Sequence, residues 1–128
     1  MKALYTPQGE TDRCKPDLEA VIAQYEAGDA RIANQAGLAH GYLAGMARVR
    51  GDTQEALEQY ELATQLVVPA SRARYLVAIG DLRCQLGEME PALSAYGQAI
   101  DEARLYGRAG DVEKYAVRMR EMQLKGCP

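Results

Sequence analysis

Residues 51–66 and 87–102 of this chain are two writings of one pattern. Setting Gly87 on Gly51, an offset of 36 residues, brings Ala92 onto Ala56, Leu93 onto Leu57, Tyr96 onto Tyr60 and Ala99 onto Ala63. Ahead of the glycines Ile79 falls on Leu43, and after them Glu88 falls on Asp52. Small residues flanking one ring at helical spacing are what two helices need where they touch. A glycine just before them lets the chain leave one helix and enter the next. The offset therefore predicts tandem helix–turn–helix hairpins, and periods of this length belong to stacked repeat architectures.

The remaining segments carry the same helical period. In PDLEAVIAQYEAGD, Leu18, Val21, Ile22 and Tyr25 share one face, with Pro16 suited to a first turn and Gly28 to a stop. A second helix is expected from about Ala30 to Arg50. Asp52 and Glu55 form a capping box for the third. Pro69 ends that helix and opens the fourth, which Gly87 closes, and Pro91 lies in the first turn of the fifth. Val112, Tyr115, Ala116 and Met119 mark the stripe of the last. With no strand signal, the expected class is all-α: about six helices in stacked antiparallel hairpins, two full repeats plus flanking capping helices. Residues 1–15, polar and carrying Pro7 and Gly9, read as a flexible N-terminal arm, and 16–128 as one helical domain.

The hairpins resemble the tetratricopeptide repeat (TPR) family, whose unit of about 34 residues carries W-x2-L-G-x2-Y, then A-x3-F, then P. The second copy places Leu76, Ile79, Gly80, Arg83, Ala92 and Tyr96 in those slots, and the first places His40, Leu43, Ala44, Ala47, Ala56 and Tyr60. The match covers about residues 37–107. The leading aromatic and the first-helix tyrosine are missing from both copies, Pro69 comes one residue late, and the second copy has no closing proline. The resemblance implies an α-solenoid in which the 16–27 helix and the last helix cap the stack. The last helix then turns Glu113, Arg118, Arg120 and Glu121 outward. It also implies a concave groove walled by the first helix of each hairpin. Leu38, Gly41, Gly45, Arg48 and Val49 would lie on that wall, continued by Arg74, Val77, Asp81, Cys84 and Gln85. The Lys/Asn-rich carboxylate clamp of chaperone-binding family members is not implied, because Gly41, Gly45 and Val77 hold its slots.

Gly37, Gly41 and Gly45 recur every fourth residue within the second helix. Each glycine costs a helix about 0.8–1.0 kcal/mol relative to alanine, so the stripe must be offset by packing. A membrane dimerisation motif fails on context, since Gln35, His40, Arg48 and Arg50 interrupt any apolar span. Two readings stand. The chain's own 16–27 helix could cover the stripe, or the stripe could clear a groove floor for a partner's helix or peptide.

The chemistry of the chain narrows the function further. Net charge is −3, which argues against general affinity for nucleic acid or anionic membranes. Arg48, Arg50, Arg72, Arg74 and Arg83 on or near the first helices suit either a solvated face balanced by Glu55, Glu58, Glu61 and Asp81, or an acidic peptide. Asp81, Glu88 and Glu90 read as solvated carboxylates around a turn. His40, the one histidine, has no nucleophile or carboxylate beside it. Together with Cys14, Cys84 and Cys127 it lacks the clustered spacing of a zinc set. Three cysteines without a CxxC pair suit a reducing compartment better than a disulfide framework, and with no signal-peptide pattern or apolar span the expected location is cytoplasmic.

No enzyme, no cofactor and no metal are expected. The expected function is a protein–protein interaction module, an adaptor or scaffold that binds a peptide or helix of another protein, with acidic character suiting the arginines. Its contacts would be Leu38, Gly41, Gly45, Arg48, Arg74, Val77, Asp81 and Gln85. The alternatives are a homodimer or larger homo-oligomeric scaffold, an assembly or secretion-type chaperone, and a regulatory sensor module.

Overall fold

The glycines and prolines that punctuate the sequence reappear as the breaks between helices in a computed structural model of the chain. It describes the backbone of residues 7–107 and 109–127, and the side chains within those ranges from residue 14 onward. Regular structure among the described residues is helical throughout. In order there are α1 (Pro7–Glu26), a short 3₁₀ turn (Ala30–Ile32), α2 (Ala33–Arg50), α3 (Thr53–Leu66), α4 (Pro69–Gln85), α5 (Met89–Tyr106) and α6 (Ala109–Lys125). They group into two compact units, one reaching to Val67 and one starting at Val68. In the first, α2 and α3 form a hairpin and α1 packs on α2. In the second, α4 and α5 form a hairpin and α6 packs on α5.

The 36-residue offset is visible in each hairpin's turn. Gly51 and Gly87 both adopt left-handed backbone, at φ of 84° and 82°, a conformation that only glycine enters without steric cost. The N–H of Gly51 bonds the Arg48 carbonyl while that of Asp52 bonds Ala47. The N–H of Gly87 bonds Cys84 while that of Glu88 bonds Arg83. Both turns thus satisfy helix-end carbonyls that would otherwise be orphaned. Asp52 then caps α3, its carboxylate accepting from the Glu55 N–H at 3.2 Å, as the capping box predicts.

Packing repeats as well. Ala56, Ala63, Ala92 and Ala99 are fully buried, and the rings of Tyr60 and Tyr96 are buried between them. Gly80 shows why a small residue stands opposite the ring. A Cβ there would come within 2.9 Å of the Tyr96 ring and 3.3 Å of the Ala92 carbonyl oxygen.

The N-terminal helix is longer than the sequence reading allows. Helical backbone reaches back to Pro7, and Pro16 lies inside α1 rather than in its first turn. Pro7 takes the first helical position, where its missing N–H costs nothing. Residues 1–6 of the expected arm lie outside the described residues. Among the described side chains of this helix, the predicted stripe of Leu18, Val21, Ile22 and Tyr25 is the least exposed part, with Ile22 buried.

The glycine stripe divides into different environments. A Cβ on Gly37 would meet the Val67 N at 2.8 Å and its Cγ1 at 2.7 Å, so the end of α3 sits directly on it. Gly41 is buried within α2. A Cβ on Gly45 would meet nothing within 4 Å. Close packing thus accounts for Gly37 and does not account for Gly45. Gly37→Ala is expected to destabilise by about 1–3 kcal/mol, because backbone must move. Gly45→Ala is expected to stabilise by up to about 1 kcal/mol. Urea unfolding of the two variants checks these opposite signs.

Candidate functional site

The offset pairs Gly41, Gly45 and Arg48 of α2 with Val77, Asp81 and Cys84 of α4, and the structure treats the two faces differently. On α4 the face is occupied by the chain itself. Val77 packs against the apolar cluster that contains Tyr115 and against the one that contains Met122. Asp81, 3% exposed, accepts from Arg118 through both oxygens, Nε to Oδ1 at 2.9 Å and Nη2 to Oδ2 at 2.7 Å. The Tyr96 hydroxyl donates to the same Oδ1. Cys84 is joined to Cys127, just beyond α6, by a disulfide with Cα atoms 5.6 Å apart.

These contacts revise four sequence expectations. Asp81 is a buried, doubly engaged anion and not a solvated carboxylate or an exposed partner contact. Val77 is partly buried against apolar clusters to which α6 contributes, and is not an open groove floor. Arg118 turns inward to Asp81 instead of standing on an outward solubilising face. Cys84 and Cys127 form a bond where the odd count and lack of CxxC suggest free thiols. Cys14 is free and exposed.

The electrostatics follow from burial. A carboxylate removed from water needs a paired cation and further donors, and Asp81 has a guanidinium fork and a phenol. Burial, then the hydrogen bond to Asp81, pushes the Tyr96 hydroxyl up to about 12. The hydrogen bond to Asp81 also moves Arg118 further above its ordinary value. Burial raises Tyr115 as well. Beside this cluster a cleft of about 210 Å³ is lined by Tyr96, Arg118, Met122 and Cys127 among others.

The α2 face is open by comparison. Leu38, Tyr42, Gly45 and Val49 stand at i, i+4, i+7 and i+11, one stripe along the helix. Tyr42 is 64% exposed and Val49 75%. Gly45 forms a notch between them with nothing within 4 Å of its Cβ position. Leu38 and Arg48 are half-buried and Gly41 is buried. Tyr42 is the member that the family resemblance passes over, although its register with Leu38 and Gly45 is legible in the sequence.

The remaining expected contacts lie on α4. Arg74 is exposed, its guanidinium 4.8 Å from the Tyr75 ring centroid and its Nη2 donating to the Tyr75 hydroxyl at 3.0 Å. Gln85 is exposed at the helix end. The four α2 residues and the four α4 residues belong to separate units, so each set stands by itself. Several arginines have acidic partners: Arg50 with Glu55, Arg72 with Glu102 and Arg83 with Glu88. Those three pairs match the balanced-face reading more closely than the peptide-site one.

His40 is buried, and its Nδ1 lies 2.6 Å from the Gln59 side-chain oxygen. Gln59 also borders a cavity of about 90 Å³ with Leu43, Met46 and Arg50. Among the described residues no group of three or more His, Cys, Asp or Glu side chains could hold a metal ion. The disulfide, moreover, withdraws Cys84 and Cys127 from any thiolate set. Among the described residues no helix is long and apolar enough to cross a membrane. Comparison of the chain with models of protein families, with curated proteins and with solved structures finds no match.

Two outcomes test the Asp81 cluster. Arg118→Ala leaves a buried carboxylate without its cation. It should cost about 3 kcal/mol in urea unfolding, the low end for a buried pair because the Arg118 side chain is 44% exposed. The Tyr96 phenol titrates near 10 in an unfolded chain and near 12 here. Its neutral form therefore contributes full stability below about pH 10, a contribution lost between about pH 10 and 12. Urea midpoints followed across that window should fall more steeply for wild type than for Tyr96→Phe.

Proposed function

We propose that this chain is a protein-binding module of tetratricopeptide-like hairpins and that its contact surface is the α2 face of Leu38, Tyr42, Gly45 and Val49. It catalyses no reaction on this reading. The observation that carries the proposal is the open stripe itself: two large apolar side chains more than half exposed, with a glycine notch between them. Burying Tyr42 and Val49 against a partner is worth about 1.5–3 kcal/mol for each side chain, and a notch lets a second backbone approach closely. An amphipathic helix laid along the stripe fits both features. The helix carries Arg48 and Arg50 and no acidic residue, but Arg50 is already paired with Glu55, so the proposal rests on the apolar stripe and not on partner charge.

A second copy of the chain is the alternative occupant. An apolar stripe with a central notch can be self-complementary about a two-fold axis. The chaperone and sensor readings have no separate observation in their favour.

Tyr42→Glu/Val49→Glu tests the surface, since neither side chain is part of the core. The double variant should keep the wild-type melting temperature. It should bind a partner captured from lysate of the source organism at least about a hundredfold more weakly, the equivalent of roughly 3 kcal/mol. Retention of the partner at wild-type affinity would move the surface elsewhere. A concentration-dependent dimer in ultracentrifugation of wild type, absent from the variant, would instead make a second copy the occupant.

A further inference from the structure

The disulfide stands where it can control one turn of one helix. Cys84 is 2% exposed within a cluster of Ala92, Tyr96 and Met122, while Cys127 is exposed beyond the end of α6. The body of α6 has non-covalent attachments of its own: Val112, Tyr115, Ala116 and Met119 in the apolar cluster shared with Leu76 and Ala99, and the two-pronged Arg118–Asp81 contact. Among the described residues, the segment from Met122 to Cys127 is tied to the other helices by the bond and by buried Met122. That segment also forms a wall of the cleft beside Tyr96 and Arg118.

We propose that the Cys84–Cys127 disulfide is a redox latch, opened by a dithiol reductant, that releases the last turn of α6 and widens the cleft over Tyr96 while the rest of the unit stays folded. Exposure directs the chemistry. One thiolate of the reductant attacks the sulfur of Cys127, the exposed residue of the pair, the Cys84–Cys127 S–S bond breaks, and the electron pair leaves on Cys84, which takes a proton. The second thiol of the reductant then displaces Cys127 from the mixed disulfide. The net change is two protein thiols formed and one reductant disulfide formed. With the latch open, Met122 is held by apolar contact only, and its departure uncovers the Tyr96 ring and the Arg118 stem.

Hydrogen–deuterium exchange by mass spectrometry tests this on the full chain, comparing air-oxidised protein, protein reduced with dithiothreitol, and Cys127→Ser. Reduction and the substitution should each speed exchange of amides in 119–126 at least about tenfold. Amides of α4 and α5 should be unchanged, and reoxidation should restore protection in the wild type. Far-ultraviolet circular dichroism should keep its helical signal throughout. Three titratable thiols in the air-oxidised folded protein would overturn the proposal, as would equal exchange in both redox states. Loss of the helical signal on reduction would overturn it too, because the bond would then be a staple for the whole unit.

Discussion

The second unit is organised round one buried carboxylate. Asp81 lies in the interior of α4, where an unpaired anion could not remain charged at acceptable cost. The chain meets that requirement from two directions: the Tyr96 hydroxyl from α5 and the Arg118 fork from α6. Each contact fixes a helix as well as a charge. Tyr96 needs Gly80 opposite its ring to reach Asp81, because a methyl at that position would strike the ring. Arg118 fixes the rotation of α6, and with it the seating of Met119 and Met122 and the approach of Cys127 to Cys84. Replacing the ion pair by apolar residues could yield an equally stable unit, so what the pair supplies is the register of α6 on α4.

Among the described residues the first unit has no such anchor. The offset puts Gly45 where the second unit has Asp81, and Gly45 has no acid to satisfy and nothing within 4 Å of its Cβ position. Equivalent faces of two similar hairpins thus differ in occupancy. One is closed by an ion pair, an apolar contact and a disulfide. The other presents Tyr42 and Val49 to solvent. Exposed apolar side chains scattered singly mean little. The α2 stripe differs because its members share one register and flank a notch.

Much of the fold is legible in the sequence because it depends on local chemistry. Gly51 and Gly87 mark left-handed turns that only glycine enters cheaply, Asp52 marks a cap, and Ala56, Tyr60 and Ala63 mark a contact face. Each is a short-range signal at fixed spacing. What escapes is long-range. Arg118 lies 37 residues from Asp81, and no period links them, so one reads as a surface cation and the other as a turn carboxylate. Cys84 and Cys127 are 43 residues apart, and an odd count hides a pair when one cysteine is left over. Pro16 misleads for a different reason: proline is so common in a first turn that one inside a helix reads as a start. At the candidate site, Leu38, Gly45 and Val49 are expected from the family resemblance, and they share one helical register. The resemblance puts Val77 and Asp81 on the same wall, but register alone cannot say that α6 comes back to cover them.

The most direct test of a closed face on α4 and an open one on α2 is thiol accessibility in the folded protein. Val49→Cys and Val77→Cys, each in a Cys14→Ser background with the disulfide intact, would be labelled with a maleimide under native conditions. The thiol of Val49→Cys should react at the rate of an unstructured peptide thiol. Position 77 should react only as fast as native-state opening permits. Equal, rapid labelling at both positions would contradict a closed α4 face, since α6 could not then be seated on α4.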